Sequence, residues 1–324
     1  MSKRKINNLV FSSKDGSLEK LKNLLAKSPR NCLTNSWNAL RDACCIGDLD
    51  IIRYLLAFSD THQDLKINTQ DEYGNTALIY ACKNNQLEVV KYLLSSPELK
   101  NHANISKKNN YQESPLLIAC SNGYLDLVKY LLTSKEINKH SSILEINNIG
   151  NNALMCSLNG SLEVFKFLLE FIKNENPSLI NVKNRLGKNI LLMYDSRHEY
   201  IDVLIELLNS DYKDIIDIHS VDNTGNDIVT NFILNDFSFI SFNHKNKLLN
   251  LINICISQYD LKITNTNLDK INKHQNRVND KYLSALKIER VDLCTEIIRL
   301  TKLKQVQKLE NTLVEKINKP KMKV

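Results

Sequence analysis

The residues of this 324-residue chain that could do chemistry are its seven histidines, its eight cysteines and two short segments. His62, His102, His140, His198, His219, His244 and His274 fall mostly in stretches that read as linkers. None has a cysteine or acid at metal-ligand spacing, so they are expected as solvent-facing loop residues. No C-x-x-C pair occurs, which argues against a zinc module. Asp195-Ser196-Arg197-His198 holds triad residue types, but a segment this short cannot set nucleophile and base at triad geometry. Gly187-Lys188-Asn189 lacks the first glycine and the Ser/Thr of a phosphate loop. Cys44, Cys82 and Cys120 recur at steps of 38. Packed helices lie about 8–10 Å apart, whereas a disulfide needs Cα atoms about 4.4–6.8 Å apart. Buried free thiols are the expectation. No catalytic residue, metal site or cofactor is assigned.

The cysteine spacing leads to the elements that carry it. Leu-Leu pairs fall at Leu55-Leu56, Leu93-Leu94, Leu131-Leu132, Leu168-Leu169 and Leu207-Leu208. A turn position reads Gly74, Gln112, Gly150, Gly187, Gly225, and three residues before it stands Asp71, Asn109, Asn147, Asn184 or Asp222. Asp and Asn close turns on their own backbone, and glycine accepts positive φ without steric cost. Gln112 breaks the rule, so its turn is expected to be strained or of another type. Two residues past the turn come Thr76, Ser114, Asn152, Asn189 and Asp227, with Asn38 earlier; all six suit a helix N-cap. They open a helix A of about two turns. It breaks at Gly47, Asn85, Gly123 and Gly160, and a helix B opens with Leu49-Asp50, Leu87-Glu88, Leu125-Asp126 and Leu162-Glu163, the acid favoured by the helix dipole. Such a unit is too small to bury its own apolar face, so units must stack.

Thr76-Ala77-Leu78-Ile79-Tyr80-Ala81 and Ser114-Pro115-Leu116-Leu117-Ile118-Ala119, each followed by a segment such as Leu87-Glu88-Val89-Val90-Lys91-Tyr92-Leu93-Leu94, resemble the ankyrin repeat. The resemblance is strong over 36–210 and weaker on both sides. It implies an all-α solenoid of about eight helix-turn-helix units with β-hairpin-like turns. The family histidine is replaced by Arg41, Ile79, Leu117, Met155 and Leu192, so apolar packing must compensate for its lost hydrogen bonds. Extra residues after helix B, in 95–104 and 133–142, read as longer polar loops on one edge. Residues 1–35 read as a degenerate N-terminal capping repeat, 36–210 as the core repeats, 211–300 as degenerate C-terminal repeats, and 301–324 as a basic helical or disordered tail.

The formal net charge is +7. The tail contributes seven lysines against Glu310 and Glu315. Leu303, Val306, Leu309, Leu313 and Ile317 keep near-helical spacing there, which fits either a closing helix over the last repeat or a basic amphipathic helix for an acidic partner. The abundance of Asn, Lys and Ile points to an AT-rich genome. No apolar run reaches the roughly 18–20 residues that span a bilayer. The start, Met1-Ser2-Lys3-Arg4-Lys5, lacks a signal peptide's apolar stretch. A cytoplasmic, monomeric protein is expected; delivery into a host cell would leave no legible signal.

These readings give a non-catalytic module (adaptor, scaffold or effector) that binds a protein partner. Tyr73, Tyr111, Ile149 and Leu186, each just before its turn position, form either a contact stripe or packing against the next hairpin. By family analogy, Tyr80, Lys83, Asn84, Ile118, Ser121 and Asn122 line the concave face of helix A. Nucleic-acid or acidic-surface binding through the basic tail is the alternative.

Overall fold

The computed structural model describes residues 33–62, 66–137, 141–193, 198–209, 214–234 and 250–255, with single positions 19, 212, 261, 266, 267, 270, 299, 302, 303 and 306. The chain divides into two compact units, Met1–Glu175 and Asn176–Val324.

In the first unit, helices A and B alternate: α1 (Leu33–Ile46), α2 (Leu49–His62), α3 (Ala77–Lys83), α4 (Leu87–Ser95), α5 (Pro115–Asn122), α6 (Leu125–Thr133), α7 (Ala153–Ser157) and α8 (Leu162–Glu175). Each helix A packs on its own helix B, and α1, α3, α5 and α7 pack in succession into an inner row. This is the stacked arrangement that the period requires. The helix A faces supply its core: Leu78, Ile79, Leu116, Leu117, Leu154 and Met155 are all buried. Ile79, Leu117 and Met155 stand where the resemblance places a histidine, and packing there is apolar.

The caps operate as residue types dictate. Thr76 Oγ1 accepts from Ile79 N at 3.2 Å, Ser114 Oγ from Leu117 N at 3.4 Å and Asn152 Oδ1 from Met155 N at 2.9 Å. Asn38 is a correction: it lies inside α1 and accepts from Arg41 Nη1 at 3.2 Å. Helix A of that repeat continues N-terminally where the later repeats turn into a hairpin. Helix B starts at the expected leucines.

Each turn is a small hairpin. Asp71 N donates to Asn75 O at 3.1 Å and Gly74 N to Asp71 O at 2.9 Å, and the same pair of bonds recurs at 109–113, 147–151, 184–188 and 222–226. Gln112 has φ +59, in the range of Gly74 at +75 and Gly150 at +80, so its turn is of the same type with a side chain in the left-handed region. Gly160 is needed for another reason. A Cβ there would run into the carbonyl of Cys120 and stand 2.6 Å from the backbone nitrogen of Gly123.

The loops after helix B are longer, as expected, but they fold back. Ala103 N donates to Leu93 O at 2.8 Å, and Ser141 N to Leu131 O at 2.9 Å. His102, expected in solvent, is half-buried with Nε2 3.0 Å from the Ser96 carbonyl. His62 and His198 lie on helices, not in linkers. Cys44, Cys82, Cys120 and Cys156 are free and buried.

The second unit holds two 3-10 helices, Pro177–Asn181 and Ile190–Met193, then α9 (His198–Asn209) and α10 (Ile228–Leu234). Ile190–Met193 stands where a two-turn helix A was expected, although its cap is in place: Asn189 Oδ1 accepts from Leu192 N at 3.2 Å. Lys270 Nζ closes the hairpin at 222–226, donating to Thr224 O at 2.7 Å and Asn226 Oδ1 at 2.8 Å. Leu303 and Val306 are exposed at 45% and 51%. Most of 1–35, the insertion at 235–242 and the rest of the tail lie outside the described residues.

Candidate functional site

The site begins with the Asx residue of each hairpin. Asp71 Oδ1 accepts from Tyr73 N at 3.0 Å and Asn75 N at 2.8 Å, and Asn109 Oδ1 accepts from Tyr111 N and Glu113 N, both at 2.9 Å. With the backbone held in this way, the residue between turns its side chain outward. Successive hairpins are joined through backbone behind the tips: Asn110 N donates to Tyr73 O at 2.9 Å and Asn148 N to Tyr111 O at 2.9 Å. The tip carbonyls are therefore occupied while the side chains stay free. Tyr73 is 55% exposed, Tyr111 58% and Ile149 47%; in the second unit Leu186 is 59% exposed. Each side chain keeps about half or more of its surface open.

Helix A forms the floor. Tyr80 donates its hydroxyl to Asp71 Oδ2 at 2.6 Å and accepts from Asn75 Nδ2 at 3.5 Å. Trp37 meets the Tyr80 ring edge-on, at 6.2 Å between centroids and 89°, and the Arg41 guanidinium lies 6.0 Å from its centroid. Burial, and then the bond to Asp71, pushes the Tyr80 phenol up to about 12, so it stays a neutral donor. Ile118 is 6% exposed and adds an apolar floor next to it. Lys83 stands exposed at the helix end, where its carbonyl accepts from Tyr124 of the next repeat at 3.3 Å.

These groups surround one depression of about 450 Å³ between the hairpins at 71–75 and 109–113 and helices α3 and α5. Tyr73, Tyr80, Lys83, Tyr111, Ile118, Ser121 and Asn122 line it, all of them read from the sequence. Asn84, Ile149 and Leu186 do not line it. Asn84 is exposed and bonds back to the Tyr80 carbonyl at 2.9 Å. Asn75, Asn109 and Glu113 also line it and were missed. The signal was present: Asn75 and Glu113 both directly follow a turn position, and that register was not followed.

Among the described residues no group of three or more His, Cys, Asp or Glu could hold a metal ion. Burial holds four of the thiols protonated: it raises Cys44, Cys82 and Cys120 far above the ordinary thiol range and lifts Cys156 to about 12. A thiolate, the reactive form, is therefore suppressed. Among the described residues no helix is long and apolar enough to cross a membrane.

No curated protein sequence matches the chain. One similar chain occurs in a solved structure of a predatory endopeptidase from Bdellovibrio bacteriovorus in complex with immunity protein. It is 26% identical, with 59% of this chain and 89% of that one covered, at a TM-score of 0.46. The family model for ankyrin repeats (three copies) matches residues 9–102 and 97–179. With that match over more than half its length, and with hairpins, caps and paired helices in the same order, the chain belongs to the ankyrin-repeat family.

Proposed function

We propose that the chain is a non-catalytic protein-binding module (an adaptor, scaffold or effector) that acts in the cytoplasm as a monomer. It engages its partner through the concave face of helix A and the hairpin tips. The observation that carries this reading is the depression between Tyr73 and Tyr111: two aromatic side chains more than half exposed, on a backbone fixed by hydrogen bonds on both sides. Preorganised aromatic contacts lose little entropy on binding, so more of the interaction is kept as affinity. Tyrosine is also among the residues enriched where binding energy concentrates.

Co-purification from the cells that express the protein tests it. The wild-type chain should recover a defined protein that the double variant Tyr73→Ser, Tyr111→Ser loses. Both tip side chains point away from the core, so the variant should melt as the wild type does. If wild type and variant recover the same proteins in the same amounts, the depression is not the binding surface.

A further inference from the structure

The same depression has a charge pattern that specifies its occupant. Taking it as the protein-binding surface proposed above, we infer that it selects a partner segment by an arginine or lysine side chain, seated at Tyr73 and Tyr111 against the carboxylate of Glu113. Glu113 is half-buried, and its Oε2 accepts from Asn109 Nδ2 at 3.0 Å. Among the described residues no cation forms an ion pair with it. The lysines of its own hairpin stem are engaged elsewhere: Lys107 Nζ donates to Gln70 Oε1 at 3.0 Å and Lys108 Nζ to the Ile146 carbonyl at 3.2 Å. Lys83 lines the depression at the helix end and forms no ion pair with Glu113. The hairpin end of the depression is therefore acidic and aromatic, and the helix end is basic.

A cation is what these groups have in common. The faces of exposed tyrosine rings attract ammonium and guanidinium groups, and a partly desolvated carboxylate gains more from a cation than one in open water. A planar guanidinium can both stack on a ring and bond a carboxylate through two N–H groups, which favours arginine over lysine. Small-molecule pockets run from about 300 to 1,000 Å³, so about 450 Å³ admits one such side chain with a short stretch of its backbone.

Selection of phage-displayed random linear peptides on the purified full chain tests this, followed by fluorescence anisotropy with the selected peptides. The variants are Glu113→Gln, Glu113→Lys and Tyr111→Ser. Glutamine keeps an acceptor for Asn109 and removes only the charge, so circular dichroism and melting should match the wild type. The wild type should enrich arginine or lysine, and the enriched peptides should bind Glu113→Gln about tenfold more weakly, the worth of one charge-assisted hydrogen bond. Glu113→Lys should reverse the selection toward aspartate and glutamate; if that variant does not fold, the glutamine result decides. Peptides that depend on Tyr111 but show neither a basic preference nor any response to Glu113→Gln would overturn the charge selection and leave the surface standing. Peptides indifferent to Tyr111→Ser, or no peptide at all, would overturn both.

Discussion

At the scale of the residue, the hairpin Asx position has two jobs, and its chemistry is matched to the residue nine places on. One oxygen closes the turn in each of the five described hairpins. In four of them the other atom reaches the helix that follows. Where the turn residue is an acid the partner is a donor: Tyr80 OH to Asp71 at 2.6 Å, Asn231 Nδ2 to Asp222 at 3.2 Å. Where it is an amide the partner is sulfur, which accepts: Asn147 Nδ2 to Cys156 Sγ at 3.9 Å, Asn184 Nδ2 to Met193 Sδ at 3.3 Å. Asn109 faces Ile118 at that offset and turns to Glu113 instead. The surplus of asparagine, which the composition explains by codon usage alone, has work in the fold. Asn68 Oδ1 takes Asn104 N at 2.6 Å, and Asn181 Oδ1 takes Asp217 N at 2.7 Å, each tying one repeat to the next. A pH prediction follows for Asp222. Burial pushes its carboxyl upward, but donors from Thr224, Asn226 and Asn231 outweigh burial and hold it below the ordinary carboxylate range. A depressed folded pKa stabilises above the unfolded value near about 3.9 and is lost as pH falls through the folded pKa. At pH 7, Asp222→Asn should lower hydrogen-exchange protection over 222–234, because its amide would face the Asn231 amide. The gap from wild type should begin to narrow below about pH 4, where the unfolded chain takes up a proton, and close as pH falls through the lower folded pKa, where the native carboxylate is lost too. An equal gap at both pH values would mean that the charge plays no part.

At the scale of the element, most boundaries were legible because each is fixed by local chemistry. A β-region Ser, Thr or Asn begins helix A at Thr76, Ser114 and Asn152, a left-handed residue follows it at Gly47, Asn85 and Gly123, and a leucine with an acid begins helix B. The failures have local causes as well. Asn38 is a competent cap type, but capping needs an extended residue, and α1 already runs through that position. Over the described residues, the helix A expected after Asn189 is the 3-10 helix Ile190–Met193. Gln112 shows that the turn geometry prevails over residue preference: the hairpin imposes positive φ whether or not a glycine is present. A left-handed non-glycine residue costs about 1–2 kcal/mol, and glycine gives back about 0.4–1 kcal/mol of that through its freer unfolded chain. Gln112→Gly should therefore stabilise the protein by about 0.5–1 kcal/mol, seen as a higher denaturant midpoint with unchanged slope. The opposite change, Gly74→Ala, should destabilise, since its Cβ would stand 2.8 Å from Asn110 N. If Gln112→Gly lowers the midpoint, the glutamine side chain is earning a contact that outweighs its strain.

At the scale of the whole molecule, period and apolar spacing made the stack of the first unit legible, since a two-helix unit has no interior without neighbours. They did not make the full floor of the depression legible. The position after the turn reads Asn75, Glu113, Asn151, Lys188 and Asn226; a periodic reading sees what stays alike, and the carboxylate of Glu113 is what differs. The stack itself has a testable consequence for how stability is distributed. α5 contacts α3 on one side and α7 on the other, and Leu116 on α5 is fully buried between them. Leu116→Ala removes a buried side chain and leaves a cavity, at a cost of about 2–5 kcal/mol. In a repeat stack stability is the sum of each unit and its interfaces with its neighbours. The loss should therefore spread to Ala77–Lys83 and Ala153–Ser157 and weaken with distance, reaching Leu33–Ile46 least. Hydrogen-exchange mass spectrometry reads this segment by segment. An equal drop across every helix of the unit would instead mark one cooperative globular core. A drop confined to Pro115–Asn122 would mean that neighbouring repeats contribute little to each other, which is incompatible with units too small to bury their own faces.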